Sequence, residues 1–208
     1  MMPLGFPRKF FFGFSLVIFW TAFLGATHDL VDIQAFNPHV LVDMRYATQH
    51  NPLGKAIYPS HKIYIDGYVA TRLGRVQREL AREGLGLIIY EGYRPPSVQA
   101  ILDAHREKHS HHCYQFDDSG HYRKALGVDV SIYYSDCQLL ELPTPWGEDG
   151  ARAYQDYPYL PAHVYHNRMI LEKYMKRHGF VPMRERWWHF DLKGWEMAPD
   201  LNLEYNGI

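Results

Sequence analysis

Two histidines and one aspartate, far apart in the chain, could form a metal site. His121 and Asp129 stand eight positions apart in DSGHYRKALGVDVSIYY, and His189 lies near the C-terminus in RWWHFDL. Catalytic zinc usually takes three protein ligands from His, Asp, Glu or Cys and keeps a further position open for water. The three residues could supply two imidazoles and one carboxylate to a single zinc ion. Since the chain has 13 histidines, the alternative is that they are unrelated surface or core residues.

A second histidine-rich segment, HREKHSHHC at residues 105–113, competes for the metal. His105 and His109 are four positions apart, a spacing that places both side chains on one face of a helix. The end of the segment is typical of a loop. We therefore interpret it as the polar end of a helix.

Arg94, in EGYRPP, is a candidate for stabilising negative charge. It follows an apolar run that predicts a buried strand, and it precedes two prolines that end strand pairing. A guanidinium fixed in a rigid turn at the end of a strand can stabilise a developing oxyanion. The alternative is an ordinary salt bridge.

Three segments have the apolar spacing of helices. The first ends at Gly84, a residue suited to a helix C-terminus, and its apolar positions are Val69, Leu73, Val76 and Leu80. A second helix is predicted from about Ser97 to Lys108, and a third in PAHVYHNRMILEKYMKRHG, ending at Gly179.

Three further segments predict strands that position the candidate residues. LGLIIY precedes Arg94, LGVDVSIYY places Asp129 opposite its valine neighbours, and RWWHFDL places His189 and Asp191 on one face. Helices and strands intermingle without regular βαβ alternation. The fold class is therefore α+β, a single compact domain with a small central, mostly antiparallel sheet flanked by helices.

Composition limits the classes of partner. The 208 residues are 47% hydrophobic and 22% charged, enough for one good core. A formal net charge of −1 without a long basic run argues against a nucleic-acid partner, because binding phosphates needs clustered Lys and Arg. We expect a small-molecule substrate, and the oligomeric state is left open.

Residues 1–27 resemble an export signal, with two basic residues before an apolar run and small residues at its end. The run, roughly 15 residues, is shorter than the ~20 that span a bilayer. The prediction is an exported protein, periplasmic or extracellular, with its functional domain at residues 28–208; an uncleaved membrane anchor is the alternative. In an oxidising space Cys113 and Cys137 could form a disulfide, or they could be two separate thiols.

Five ordered segments together resemble the D-alanyl-D-alanine dipeptidase family, zinc enzymes related to D-Ala-D-Ala carboxypeptidases and vancomycin-resistance dipeptidases. The resemblance runs from about residue 29 to the C-terminus. The segments are DMRYATQHNPLGKAIY (43–58), GLGLIIYEGYRPPSVQA (84–100), SGHYRKALGVDVS (119–131), LPTPWGEDG (142–150) and ERWWHF (185–190).

The resemblance implies one zinc ion held by His121, Asp129 and His189, which activates a water molecule that hydrolyses the dipeptide. Glu185 would be the catalytic base, and Arg94 would polarise the scissile carbonyl. It also implies three substrate-binding residues. These are Ser119, Tyr46 and an acid that holds the substrate amine, which is Glu148 or Asp149.

Three departures from the family pattern each shift a residue by one position. The spacing from His121 to Asp129 is one residue longer than in the family. The position three before His189, where the family has its catalytic Glu, holds Arg186, and Glu185 comes four before. Glu148 likewise follows its motif one place late. The alternative to a base at Glu185 is that Arg186 occupies the base position and hydrolysis fails.

The sequence thus predicts a zinc-dependent hydrolase of D-alanyl-D-alanine or a similar short cell-wall dipeptide. Two alternatives stay open. One is a peptide-binding homologue with impaired catalysis. The other is a D,D-carboxypeptidase that acts on longer peptidoglycan stems.

Overall fold

The computed structural model describes residues 29–108 and 120–208, which form a mixed sheet flanked by helices. The strands within these residues are β1 Leu30–Asp32, β2 Leu41–Val42, β3 Tyr64–Asp66, β4 Leu85–Glu91, β5 Gly127–Tyr134, β6 Phe180–Pro182 and β7 His189–Leu192. Strands β2, β4, β5, β7 and β6 form the main sheet in that order, and β1 pairs with β3 in a small antiparallel sheet. In the main sheet, β2 and β4 pair in parallel, and the other neighbouring strands pair antiparallel.

The three longer helices agree with those expected from apolar spacing, a further short helix was not expected, and the α+β prediction is confirmed. They are α1 Ile33–Phe36, α2 Gly67–Ala81, α3 Pro96–Lys108 and α4 Ala162–Arg177. Helix α2 begins where Asp66 Oδ1 accepts the backbone N–H groups of Tyr68 at 2.8 Å and Val69 at 3.4 Å. Such a cap satisfies donors that the first turn of a helix leaves unpaired.

The core lies between the main sheet and helices α2 and α4. Leu73, Val76 and Leu80 of α2 are fully buried, as is Leu171 of α4. The core also encloses one polar contact, in which Gln77 Oε1 accepts the backbone N–H of Leu87 at 2.7 Å. This bond ties α2 to β4, the strand that leads to Arg94.

The register of the sheet places three functional side chains in one row. Glu91 of β4 lies opposite Asp129 of β5, and Asp129 lies opposite His189 of β7. Directly opposed residues share a face of the sheet, with Cβ atoms about 5 Å apart. A shift in pairing between Ile89 and Glu91 allows this alignment, because a bulge moves the following side chain to the other face.

The parts of the chain outside the described residues carry some of the sequence predictions. Residues 1–28 and 109–119 include the export segment, Ser119 and Cys113, so these predictions, and the disulfide with Cys137, remain predictions. Within the described ranges, no helix is long and apolar enough to cross a membrane.

The turn after β4 is packed too tightly for a side chain at Gly92. A Cβ atom there would lie 2.4 Å from Ile65 Cγ2 and 2.7 Å from the Tyr64 carbonyl oxygen. We expect Gly92→Ala to lower the free energy of unfolding by about 1–3 kcal/mol, the usual cost of overpacking. Urea denaturation measures this. Gly207→Ala is the control, because a Cβ there meets no atom within 4 Å; equal stability of the two variants would contradict the packing argument.

Candidate metal centre

His189 is fully buried between two carboxylates. Its Nδ1 lies 2.8 Å from Asp129 Oδ1, and its Nε2 lies 3.2 Å from Asp191 Oδ1. The alternation of β7 positions Asp191, since residues two apart in a strand share a face. Both nitrogens of one imidazole are thereby directed by acids that the sheet holds in place.

His121 joins this cluster from the segment before β5. Its Nδ1 lies 2.7 Å from Asp191 Oδ1, and its ring lies against that of Trp195 with centroids 3.9 Å apart. Candidate ligand atoms of His121, His189 and Asp191 all lie within 4.8 Å of one another. The two predicted histidines therefore converge, with Asp191 as an acid adjacent to both.

The electrostatics of the cluster favour a positive charge. Burial disfavours protonation of His189, but Asp191 and Asp129 outweigh it and raise the pKa of its imidazole to about 9. Burial alone would raise the pKa of Asp191, yet His189 and His121 hold it below its ordinary value. Two imidazoles with carboxylates are a donor set that zinc prefers. The residues therefore fit a zinc ion.

Asp129 lies beside His189 and has two further donors. Its Oδ1 accepts the Tyr122 hydroxyl at 2.8 Å, and its Oδ2 accepts the indole N–H of Trp146 at 2.9 Å. The Tyr122 oxygen is also 3.0 Å from His189 Nδ1. The structure thus brings all three predicted ligands into one region, with Asp129 on the Nδ1 side of His189.

Arg94 is buried next to this region. Its Nε donates to Glu91 Oε1 at 2.8 Å, one terminal nitrogen donates to Gln99 at 3.0 Å, and its guanidinium lies 4.0 Å from the centroid of the Tyr122 ring. Burial opposes the charge of Arg94, but Glu91 outweighs it and raises the pKa of the guanidinium above its ordinary value. The side chain is a fixed cation, held on one side by Glu91.

Glu185 and Arg186 differ in their exposure to solvent. The side chain of Glu185 is exposed, whereas Arg186 is buried. Arg186 donates to both oxygens of Asp149, at 2.8 and 3.2 Å, and its charge acts on Tyr122 and Asp129. The structure does not bring Glu185 to the metal ligands. The base role of Glu185 therefore depends on the resemblance alone, and the residue that faces the cluster is the arginine.

Tyr46 and Glu148, two of the predicted substrate-binding residues, lie near Trp146. The buried ring of Tyr46 packs edge-on against Trp146 with centroids 5.4 Å apart, and burial raises the pKa of its hydroxyl above the usual value. Glu148 lines a cavity of about 520 Å³ together with Trp146, Arg45 and Trp187. Their contact with substrate remains a prediction.

Sequence reasoning did not assign roles to Asp191, Glu91, Tyr122 or Trp146. The signal for Asp191 was present, because strand alternation already placed it on the face of His189. Glu91 and Trp146 contact the site through pairing between distant strands and through a loop, and no local pattern marks such contacts. Tyr122 follows His121 directly, and the fold alone turns its hydroxyl toward Asp129.

Two buried imidazoles and neighbouring carboxylates, beside a buried guanidinium on an α+β scaffold, define a metallopeptidase-type centre. The sequence model of the D-ala-D-ala dipeptidase family matches residues 26–206. The chain belongs to this family and is a metallopeptidase enzyme.

Three relatives align with this chain over most of their own length. The chain is 28% identical to the D-alanyl-D-alanine dipeptidase of Escherichia coli, over 80% of this chain and 86% of the relative. It is 30% identical to that of Streptomyces coelicolor, over 78% of this chain and 90% of the relative. It is 28% identical to that of Enterococcus faecalis, over 72% and 84%.

Proposed function

We propose that the chain hydrolyses D-alanyl-D-alanine, or a similar short cell-wall dipeptide, with one bound zinc ion. The convergence of His121 and His189 with Asp191, and the contact of Asp129 with His189, carry this proposal. Family membership supports the substrate class, because the similar relatives are named for this dipeptide. When bound, zinc acts as a Lewis acid and activates the water that attacks the peptide bond.

The side chains of the protein have three further roles: they hold the ion, orient one of its ligands and stabilise negative charge. His121, Asp129 and His189 hold the ion, and Trp146 and Tyr122 fix the Asp129 carboxylate through hydrogen bonds. Arg94 stabilises the negative charge that develops on the carbonyl oxygen. Glu91 holds the Arg94 guanidinium in place before substrate binds, so that little reorganisation is needed during the reaction.

Export to the periplasm or the cell exterior is part of the proposal. The N-terminal apolar segment supports it. The partner is the small dipeptide alone, without nucleic acid, and any membrane contact would come from an uncleaved N-terminal segment.

The first prediction is metal-dependent release of alanine. The purified chain should contain one zinc ion per molecule by elemental analysis and should release D-alanine from D-alanyl-D-alanine. A chelator should abolish the release, and added zinc should restore it. L-Alanyl-L-alanine is the control substrate, and comparison with a peptidoglycan pentapeptide separates a dipeptidase from a carboxypeptidase. A chain that binds no zinc would contradict the proposal.

The second prediction concerns the buried guanidinium. Arg94→Ala should lower kcat by about 100- to 1000-fold, as is typical when one preorganised donor to an oxyanion is lost, while one zinc ion stays bound. Because Arg94→Ala leaves the buried Glu91 unpaired, Arg94→Lys, which keeps the charge, is measured beside it. Arg184→Ala is the control, since Arg184 forms an exposed ion pair with Asp156. Normal turnover in both Arg94 variants would exclude the role.

A second function, peptide binding with impaired catalysis, is favoured by one observation. The buried side chain at the position of the family base is Arg186, in an ion pair with Asp149. A guanidinium cannot accept a proton at neutral pH. Binding of D-alanyl-D-alanine without release of alanine, in a chain that contains zinc, would support this function.

The third prediction tests the base position directly. Since Glu185 is exposed, Glu185→Gln should leave turnover close to that of the unsubstituted chain. Arg186→Glu, combined with Asp149→Asn to avoid paired like charges, restores the family spacing and should raise turnover. A general base typically contributes about 100- to 10,000-fold. A loss of that size in Glu185→Gln would instead establish Glu185 as the base.

A further inference from the structure

We propose that Asp191 is a positioning residue that orients both metal-binding histidines through one carboxylate oxygen. The proposal rests on the zinc centre proposed above and adds a residue to it. In this arrangement Asp191 does not bind the ion. It fixes which nitrogen of each imidazole carries the proton, and so which nitrogen faces the metal.

The first observation is that a single oxygen is shared. Asp191 Oδ1 lies 2.7 Å from His121 Nδ1 and 3.2 Å from His189 Nε2. An ionised carboxylate only accepts hydrogen bonds, so a nitrogen that bonds to it carries its proton. A metal ion would then bind the other nitrogen of each ring. At His189 this nitrogen is Nδ1, which lies 2.8 Å from Asp129 Oδ1, and the ion would displace the proton that Nδ1 shares with that carboxylate. Asp191 thus directs His121 Nε2 and His189 Nδ1 to the metal.

The second observation is that Asp129 lies on the side this assignment requires. Asp129 Oδ1 is 2.8 Å from His189 Nδ1, the nitrogen that would bind the ion, whereas Asp191 is adjacent to Nε2. The two carboxylates therefore flank His189 on opposite sides. One is placed to share the ion with the imidazole, and the other is placed to hold the far side of the ring.

The third observation is that the site is shaped around Asp191. Gly127 lies opposite Asp191 in the β5–β7 pairing. A Cβ atom on Gly127 would lie 2.8 Å from Asp191 Oδ1, 3.0 Å from His121 Cβ and 3.1 Å from His189 Cε1. The absence of a side chain at Gly127 therefore allows the three residues to meet, and Trp195 packs on the ring of His121.

The experiment measures zinc affinity and the visible absorption of the cobalt-substituted protein. Asp191→Asn keeps an acceptor oxygen, and Asp191→Ala removes it. Both variants should still bind one ion, with a Kd raised by up to about 10-fold for Asn and about 10- to 100-fold for Ala, the usual loss for an outer partner of a metal-bound histidine. The cobalt spectrum should keep its tetrahedral intensity in both. Asp129→Asn should lose stoichiometric binding.

Asp200→Asn is the matched control, because Asp200 pairs with Arg123 in the segment that carries His121 but bonds to neither histidine. Thermal melting of the metal-free proteins shows whether each variant is folded. If a variant fails to fold, the anomalous zinc signal in a crystal of the unsubstituted chain shows instead whether the ion contacts Asp191.

The outcomes separate this proposal from the proposed function. An ion about 2.0–2.2 Å from an Asp191 oxygen, or loss of binding in Asp191→Asn equal to that in Asp129→Asn, would make Asp191 a ligand and overturn the positioning role. Unchanged zinc affinity in Asp191→Ala, together with normal hydrolysis, would also overturn the positioning role. The proposed zinc dipeptidase activity would then still stand. Failure of the unsubstituted chain to bind zinc would remove both proposals.

Discussion

The burial of His189 between two carboxylates is the constraint on which the rest of the site depends. An imidazole without access to water needs a partner for each ring nitrogen, because an unsatisfied buried polar group is costly. Asp129 and Asp191 supply those partners from two neighbouring strands. The pairing of β5 with β7 therefore sets the geometry of the metal centre. A one-residue slip of β5 against β7 would place Asp129 and His189 on opposite faces of the sheet.

The guanidinium of Arg94 is positioned by the same sheet. Glu91 ends β4 opposite Asp129, and its carboxylate holds Arg94 at 2.8 Å. Glu91, Asp129 and His189 lie in one row across the adjacent strands β4, β5 and β7. Glu91 holds the Arg94 guanidinium at the end of this row. Breaking such a buried ion pair from one side typically costs several kcal/mol. Arg94 is consequently part of the structural core.

The segment ERWWH places an arginine, and not an acid, beside the candidate metal ligands. Arg186 is enclosed with Asp149, whereas Glu185 faces solvent. The charge of Arg186 acts on Asp129. Because a guanidinium cannot accept a proton at neutral pH, the buried side chain nearest to the cluster from this segment is unsuited to the role of a base.

The sequence by itself predicted the three longer helices, strands β4, β5 and β7, and the candidate ligands. Apolar spacing predicted α2, α3 and α4, and alternation placed His189 and Asp191 on one face, because both patterns are local properties of helices and strands. The tertiary structure alone decided which residues meet. The register that aligns Glu91, Asp129 and His189, and the turn that buries Arg186, depend on contacts between segments far apart in the chain, and no local spacing encodes those contacts.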